Sequence, residues 1–241
     1  MQVLIPTLGC HRALSLTLES YRLTSPKMRI CVVAANASDE LRALLKRFKV
    51  DPLYLPDNLG FPGNVNAGLD HFGDDDHTII SNDDVVMLTP GWKDVVDENI
   101  RGKGVAAIGA VSNYVLGHQL FTAPGPRLGV VETLSWFWIA VSKFGLKKVG
   151  RLDEEFGLGL SDDLDWSLRA KEKGMKLLLD RRLFVWHWGS QTIKDLANYH
   201  QLDRENKELL KKKHPDTLIP TYGSFSLRVC TGQARPGWRG H

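Results

Sequence analysis

The sequence predicts an α/β fold in which a mostly parallel central sheet carries helices on both faces. Short apolar segments, typical of buried strands, alternate with segments of helical periodicity. This alternation favours parallel strands joined by helices. The chain has 241 residues, of which 43% are hydrophobic, enough to bury one sizeable core. We see no internal repeat and no low-complexity segment, so we expect a single α/β domain.

The predicted elements follow one another along the whole chain. The clearest helix starts after Ser38, a typical N-cap residue, and carries Leu41, Leu44, Leu45 and Phe48 on one face. Other helices are predicted at 11–22, 62–72, 162–173 and 200–213. Strands are predicted at 3–5, 30–34, 52–55, 77–80, 105–110, 135–141, 176–179 and 183–187. Residues 112–134 are expected to form a long irregular flap, and the tail from 221 has no predicted structure.

Composition limits the classes of function. The net charge of +3 permits phosphate-bearing ligands but is too small to argue for nucleic acid. Three cysteines provide neither a disulfide framework nor a paired metal motif, which suits a reducing cytoplasm. We find neither a signal peptide nor an apolar stretch of membrane-spanning length. The expected location is therefore the cytoplasm, with peripheral contact at the inner membrane face left open.

Two polar segments follow predicted strands and suit a phosphorylated ligand. The turn 81–85 carries Asp83 and Asp84, and carboxylates at a strand end can hold Mg²⁺ or Mn²⁺. By itself this pattern is more often a solvated turn. Residues 57–68 contain three glycines and three asparagines before a helix, which permits close approach of the backbone to a ligand. An ordinary loop with a helix cap has the same composition.

Two later segments add candidate catalytic groups. Asp162, Asp163 and Asp165 crowd the start of a predicted helix, where the helix dipole favours carboxylates. Asp165 and Arg169 are spaced for a structural ion pair, whereas Asp163 points elsewhere and could act as a general base. His187 closes a strand, a position more typical of a packed or surface histidine than of a metal ligand.

Taken in order, these segments resemble the family 2 glycosyltransferases of the GT-A fold, in particular rhamnosyltransferase-like enzymes. The resemblance spans about residues 3–192 and rests on the ordered set of motifs. These motifs are 5–7, 32–38, Asn58-Leu59-Gly60-Phe61 with Asn64 and Asn66, Asn82-Asp83-Asp84, 150–156, 162–165 with Arg169, and His187.

The resemblance implies a Rossmann-like sheet and an inverting transfer of a sugar from a nucleoside-diphosphate donor. It implies Mn²⁺ or Mg²⁺ held by Asp84, with help from Asn82 and His187. It also implies donor contacts by Pro6, Thr7, Asn36, Asn58, Gly60, Phe61, Asn64, Asn82 and Asp83. The family usually has an acidic residue where this chain has Ala35, so the donor base is not specified. UDP is expected ahead of GDP or dTDP.

For the acceptor, the resemblance implies that Asp163 is the base, with Asp162 beside it. The aromatic residues Trp136, Trp138 and Trp166 are candidates for stacking on a carbohydrate or glycoconjugate acceptor, although a core strand would also explain at least half of the run 136–138. We expect a nucleotide-sugar half at about 1–110, an acceptor half at about 111–195, and a C-terminal helix and tail at 196–241 packed on the same domain.

The sequence also leaves two other functions open. A nucleotidyltransferase would share the sheet, but it usually carries a Gly-rich run with Arg or Lys after the first strand, which residues 6–12 lack. A catalytically decayed nucleotide-sugar binder is suggested by Ala35 and opposed by Asp84, Asp163 and His187. The basic segment 207–213, with Arg228, Arg235 and Arg239, suits anionic lipid, but a solvated helix face is the commoner explanation, and a nucleic-acid acceptor is not favoured.

Overall fold

The computed structural model describes residues 1–73, 75–115, 117–189 and 198–217. Nine strands form one sheet: β1 Gln2–Thr7, β2 Arg29–Ala35, β3 Asp51–Leu55, β4 Thr78–Ser81, β5 Val85–Met87, β6 Val105–Ser112, β7 Leu128–Val131, β8 Trp138–Val141 and β9 Lys176–His187. Seven α-helices are described: α1 His11–Thr24, α2 Asp39–Phe48, α3 Gly60–Phe72, α4 Trp92–Ile100, α5 Lys143–Val149, α6 Asp162–Glu172 and α7 Tyr199–Lys213.

The sheet confirms the predicted α/β fold and adds antiparallel strands to it. Its order is β3-β2-β1-β4-β8-β6-β9-β5, with β7 paired to β9. The strands β1 to β4 run parallel, as the βαβ pattern predicts, whereas β8 runs antiparallel between β4 and β6. Because β1, β2 and β4 are parallel neighbours, their carboxyl ends lie at one edge of the sheet, which we call the carboxyl edge.

Helices cover both faces of the sheet, and each face has its own hydrophobic cluster. One cluster packs α1, α2 and α4 on the sheet through Leu18, Leu45 and Val96. The other packs α3, α5 and α6 on the opposite face through residues such as Leu69 and Trp166. In α2 the Ser38 hydroxyl accepts the Leu41 N–H at 3.2 Å, so the predicted N-cap is confirmed.

Several predicted boundaries were wrong because strand pairing was decided by distant segments. The flap 112–134 contains β7, which pairs with β9, and β6 continues to Ser112 beside the same strand. The two strands predicted at 176–179 and 183–187 are one continuous strand, β9. The strand predicted at 135–141 starts only at Trp138, and residues 135–137 form a turn.

The C-terminal part is described only as far as residue 217. The predicted helix 200–213 is observed as α7, and Asn206 and Leu210 of this helix are buried against the rest of the molecule. Residues 218–241, with Arg228, Arg235 and Arg239, lie outside the described residues. None of the helices in the described ranges combines the length and the hydropathy needed to cross a bilayer.

Candidate active site

The carboxyl edge brings the first predicted donor residues together. Thr7 ends β1, and its hydroxyl donates a hydrogen bond of 2.5 Å to the Asp83 carboxylate, which follows β4. Thr17 of α1 also donates to the Asp83 backbone oxygen at 2.9 Å. Burial, with a smaller contribution from the neighbouring Asp84 carboxylate, raises the pKa of Asp83 to about 7. Asp83 is therefore fixed by β1 and α1, whereas Asp84 is left to face another group.

That other group is His187, at the end of β9. His187 Nε2 and Asp84 Oδ1 are 3.2 Å apart, and both side chains are largely buried. Neither atom makes a hydrogen bond within the described part of the chain. A buried polar atom without a partner is costly, and two facing ones indicate that a further group belongs between them.

The hydrogen bond at the other ring nitrogen of His187 fixes which nitrogen faces Asp84. His187 Nδ1 lies 2.9 Å from the Tyr114 carbonyl oxygen, which can only accept, so Nδ1 carries the proton. Nε2 and the Asp84 carboxylate oxygen are then the two remaining ligand atoms of the pair, and a divalent cation held by both would satisfy them. Adjacent ligands of an octahedral Mg²⁺ ion lie about 3 Å apart, since each metal–oxygen distance is about 2.1 Å. The donor set and its spacing therefore fit a divalent cation.

The surroundings of His187 hold its ring in this orientation. The Phe137 ring stacks on it with centroids 5.3 Å apart, and the Tyr114 ring meets it edge-on at 5.8 Å. The Asn113 side chain accepts the His187 N–H at 2.7 Å and donates to the His187 carbonyl at 3.1 Å. A side chain at Gly189 would collide with the Tyr114 ring, with only 2.1 Å between the atoms. Sequence reasoning missed Asn113 and Tyr114, because they lie in the segment predicted to be an irregular flap.

The third predicted metal ligand, Asn82, is not joined to this pair. Its backbone N–H donates to the Phe137 carbonyl at 2.9 Å, while its side chain makes no hydrogen bond within the described ranges. In those ranges no group of three His, Cys, Asp or Glu side chains could hold a metal ion. Within the described ranges Asp84 and His187 are thus the two candidate ligands, and a cation there would need oxygen atoms from a bound ligand as well.

The Gly- and Asn-rich segment mainly shapes its own backbone. The Asn58 side chain accepts from Gly60 N at 3.0 Å and from Asn64 Nδ2 at 2.9 Å, while Asn64 accepts from Leu59 N at 3.2 Å. Direct donor contacts by Asn58 and Asn64 therefore stay a prediction. Gly60 has a φ of 76°, and a Cβ there would lie 2.0 Å from the Gly157 carbonyl oxygen. Only glycine allows this segment to pack against the turn that precedes α6.

The remaining donor predictions have simpler surroundings. Pro6 is buried within β1 beside Val33, and Asn36 follows β2 with an exposed side chain and a φ of 52°. Phe61 packs against the cluster that contains Leu69. These positions near the carboxyl edge are consistent with donor contacts, and the contacts themselves stay predictions.

The predicted acceptor carboxylates begin α6. The backbone N–H of Leu164 donates to the Asp163 carboxylate at 2.8 Å, and the nearby Trp136 N–H also counts against the rise in the pKa of Asp163. Burial raises the pKa of both Asp162 and Asp163, and the charge on Asp163 raises that of Asp162 further. The predicted ion pair between Asp165 and Arg169 is confirmed at 2.7 Å. The Asp165 carboxylate still raises the pKa of Asp162.

The turn 135–137 connects the two groups of carboxylates. Phe137 accepts from Asn82 N and stacks on His187, and the N–H of the preceding Trp136 is close enough to Asp163 to affect its pKa. Two adjacent residues thus lie near both the Asp84–His187 pair and the candidate base. This proximity is consistent with one site that contains Asp84, His187 and Asp163.

Two of the three tryptophans predicted to stack on an acceptor are core residues. Trp138 and Trp166 have no exposed surface, and their Nε1 atoms donate to Tyr21 and to the Gly150 carbonyl. A side chain without exposed surface cannot stack on a sugar, so this arrangement does not support the expected role. Trp136 is also buried, but its Nε1 makes no hydrogen bond in the described structure, so its role stays open to test.

Helix α7 forms hydrogen bonds with the turn that precedes the predicted acceptor carboxylates. Asn206 Nδ2 donates to the carbonyls of Phe156, Gly159 and Leu160 at 2.9, 2.6 and 3.0 Å. Leu160 and Ser161 both have positive φ, so this turn stores backbone strain immediately before Asp162. Sequence reasoning missed Asn206, since a single asparagine in a polar helix gives no signal.

The end of α7 is anchored on α6 by a second polar contact. His214, which follows α7, lies with its two ring nitrogens 2.9 Å from the Asp165 and Glu172 carboxylates. The buried imidazole therefore joins α7 to the helix that carries Asp163.

The chain also matches a known family in sequence. The model of the family described as glycosyl transferase family 2 matches residues 2–124, about half of the chain. This chain belongs to that family. A search of curated proteins finds no match.

Solved structures of glycosyltransferases share the fold. Mannosyltransferase PcManGT from Pyrobaculum calidifontis, in complex with GDP-Man and Mn²⁺, aligns over 95% of this chain and 68% of its own, with a TM-score of 0.66 and 12% identity. GalNAc-T7 with UDP, GalNAc and Mn²⁺ aligns over 95% and 53%, with a TM-score of 0.66 and 14% identity. S. aureus TarS aligns over 95% and 41%, with a TM-score of 0.64 and 12% identity. The GT-A fold is thereby confirmed, and the chain spans about half or less of GalNAc-T7 and TarS.

Proposed function

We propose that this family 2 glycosyltransferase moves a sugar from a nucleoside-diphosphate sugar to an acceptor hydroxyl by a metal-assisted, inverting reaction. The observation that carries the proposal is the buried pair of unpartnered atoms, Asp84 Oδ1 and His187 Nε2, at the carboxyl edge. In open α/β sheets this edge is where ligands bind. The two solved relatives in complex with Mn²⁺ also carry GDP-Man or UDP, which supports a nucleotide-sugar donor.

Asp84 and His187 are the residues that would hold the divalent cation. When bound, the cation supplies positive charge that stabilises the departing diphosphate. The chain adds its own positive charge nearby: the Arg12 guanidinium lies 5.7 Å from the centre of the Trp188 ring, and Trp188 N–H donates to the Asp84 carbonyl. We assign Arg12 the role of pairing with the negative charge on the donor's phosphates.

Asp163 is the residue assigned to the acceptor. The acceptor oxygen forms a bond to the anomeric carbon as the bond from that carbon to the diphosphate breaks, and the hydroxyl proton passes to the Asp163 carboxylate. Burial raises the pKa of Asp163, which makes it a stronger base than an exposed aspartate. Asp162 lies beside it, and the turn 157–161 presents both groups.

A thermal-shift screen of UDP, GDP, dTDP and their sugars, with and without Mn²⁺, tests the proposal. A ligand that binds only the folded state raises its stability by mass action, by about 2.7 kcal/mol at 100 times Kd. We expect one nucleotide to raise Tm only with Mn²⁺, and Asp84→Ala to abolish that shift. Asp97→Ala removes a carboxylate from the surface of α4 and is the matched control. This variant should retain the Mn²⁺-dependent rise in Tm.

The screen also separates the alternatives. No shift with any nucleotide in the presence of Mn²⁺ would contradict the assignment of the Asp84–His187 pair. A metal-dependent shift without transfer to a panel of carbohydrate acceptors, and without release of nucleoside diphosphate in water, would favour a decayed nucleotide-sugar binder instead.

A further inference from the structure

A cationic depression lies on the molecule away from the carboxyl edge. Its volume is about 680 Å³, and it lies between the turn after α4, helix α5 and the start of β9. Four basic side chains line it, namely Arg101, Lys103, Lys147 and Lys148, while Phe144 and Met175 supply apolar surface. None of these residues takes part in the candidate active site.

The positive charge of this depression is poorly neutralised by the protein. Within the described residues, no carboxylate lies within 4.0 Å of Lys103 or Lys148. Arg101 and Lys147 have only long contacts, at 4.0 Å to Asp97 and 3.9 Å to Asp75. Lys173 and Lys176, on either side of Met175, are also exposed. The whole chain has a net charge of only +3, so this concentration of charge is local.

An exposed aromatic ring lies among these cations. Phe144 is 57% exposed, although the opposite face of α5 is packed into the core through Leu146 and Val149. Lys143 Nζ lies 5.7 Å from the centre of the Phe144 ring. An apolar centre with a basic rim matches the boundary of an anionic bilayer, where a ring enters the acyl region and lysines remain at the phosphates.

We propose that this face, made of Arg101, Lys103, Phe144, Lys147 and Lys148, docks the protein on an anionic phospholipid surface. Each basic residue near such a surface contributes about 1 kcal/mol, so four to six suffice for peripheral attachment with one inserted ring. A single-stranded nucleic acid is a poorer fit, because it is typically held by successive aromatic rings along a groove, and this depression offers one.

The orientation of the bound protein follows from the sheet. The first residue of β4, Thr78, pairs with Val141 just before α5, whereas the last residue, Ser81, pairs with Trp138. The depression therefore lies at the amino end of β4, and Asp83 and Asp84 follow its carboxyl end. Docking by this face leaves the carboxyl edge open to solvent, and it does not depend on the proposed transfer reaction.

The structure favours this face over the basic segment 207–213 that the sequence suggested for lipid contact. In α7, Lys207 pairs with Asp203 at 2.6 Å, and Lys213 pairs with Asp153 at 2.8 Å. Lys211 and Lys212 are exposed and belong to the same helix. They provide a control with the same change in charge at a different place.

The test is sedimentation of the purified full chain with vesicles of phosphatidylcholine alone or mixed with phosphatidylglycerol. We expect binding to the anionic vesicles only, weakened by salt. The double substitution Lys147→Glu and Lys148→Glu should lower the partition coefficient at least about 30-fold, since two lysines near the surface contribute about 2 kcal/mol. Lys211→Glu with Lys212→Glu should leave it unchanged. Phe144→Ser should weaken binding to the anionic vesicles, while the salt dependence of the remaining binding should stay the same.

Three outcomes would overturn the proposal: no preference of the natural chain for anionic vesicles, an equal loss in the α7 control, or binding of an oligonucleotide in place of vesicles through Lys147 and Lys148. Circular dichroism of each variant shows that it is folded. The metal-dependent nucleotide shift is measured on the same variants and should not change, so failure of docking and failure of the transferase proposal are distinguishable.

Discussion

The Asp84–His187 pair and the carboxylates at the start of α6 both lie near the turn 135–137, yet the protein holds them by different means. Asp84 follows a short strand of the sheet, and its partner His187 ends β9, so both are placed by the ladder in which Val85 pairs with His187. Asp162 and Asp163 follow a turn with strained backbone that is held by side-chain bonds from α7. The difference suggests that the donor side is preorganised by the sheet, whereas the acceptor side depends on a helix far along the chain.

The largest expected effect comes from the candidate base. Asp163→Asn should lower kcat by about 10²–10⁴-fold, because positioned general bases contribute rate factors of that size. Binding of the nucleotide with Mn²⁺ should be unchanged, since Asp163 belongs to the acceptor side. Release of nucleoside diphosphate, with water or a carbohydrate as acceptor, measures the rate. Near-normal release by Asp163→Asn would show that another group is the base.

A substitution at Asn113 should weaken metal binding on the proposed donor side and leave the proposed acceptor side unchanged. Asn113→Ala removes both hydrogen bonds that fix the backbone of His187. Residues that orient a metal ligand typically contribute 10–100-fold in metal affinity. We therefore expect the Mn²⁺ concentration at half-maximal nucleotide binding to rise about 10-fold or more, with a smaller effect at saturating Mn²⁺. An unchanged Mn²⁺ dependence would mean that the ring contacts of Phe137 and Tyr114 orient His187 by themselves.

A substitution at Asn206 should disturb the proposed acceptor side and leave metal and nucleotide binding unchanged. Asn206→Ala removes the donor that joins α7 to the carbonyls of Phe156, Gly159 and Leu160, which should lower the free energy of unfolding by about 1–3 kcal/mol. We expect kcat to fall while metal-dependent nucleotide binding is kept, the reverse of the Asn113 result. Asn99→Ala on α4 is the matched control. Loss of nucleotide binding in Asn206→Ala would show that the two sides are not separately held.

The smallest expected effect is a shift in pH dependence. The base must be ionised, and burial raises the pKa of both Asp162 and Asp163, so transfer should fall with decreasing pH at values above the usual aspartate range. The two carboxyls titrate as a pair. The charge on Asp163 raises the pKa of Asp162 above that of Asp163, so Asp162 is still neutral while Asp163 ionises. Asp162→Asn should therefore leave this acidic limb in place, and a limb that moves in a kcat/KM profile would show that Asp162 is the group whose ionisation limits transfer.

The sequence was informative where function depends on neighbours in the chain. The parallel strands β1 to β4 follow from local apolar patterns, and the α/β fold predicted from them is confirmed. The i, i+4 spacing of Asp165 and Arg169 was enough to predict their ion pair. The sequence was less informative wherever distant segments pair: β7 lies in a predicted flap, and Trp138 and Trp166 are core residues because the cluster beneath α6 surrounds them.

The sequence by itself determined the fold class, the family resemblance and the order of the candidate motifs, because these properties are carried by residue type and local spacing. Only the tertiary structure decided which atoms face one another. In the folded chain, His187 Nε2 faces Asp84. Asn113 and Asn206 form hydrogen bonds that hold the two sides of the site. Basic residues next to α4, in α5 and near the start of β9 lie around Phe144. The physical reason is that burial and hydrogen-bond direction arise from packing between elements that are far apart in the chain.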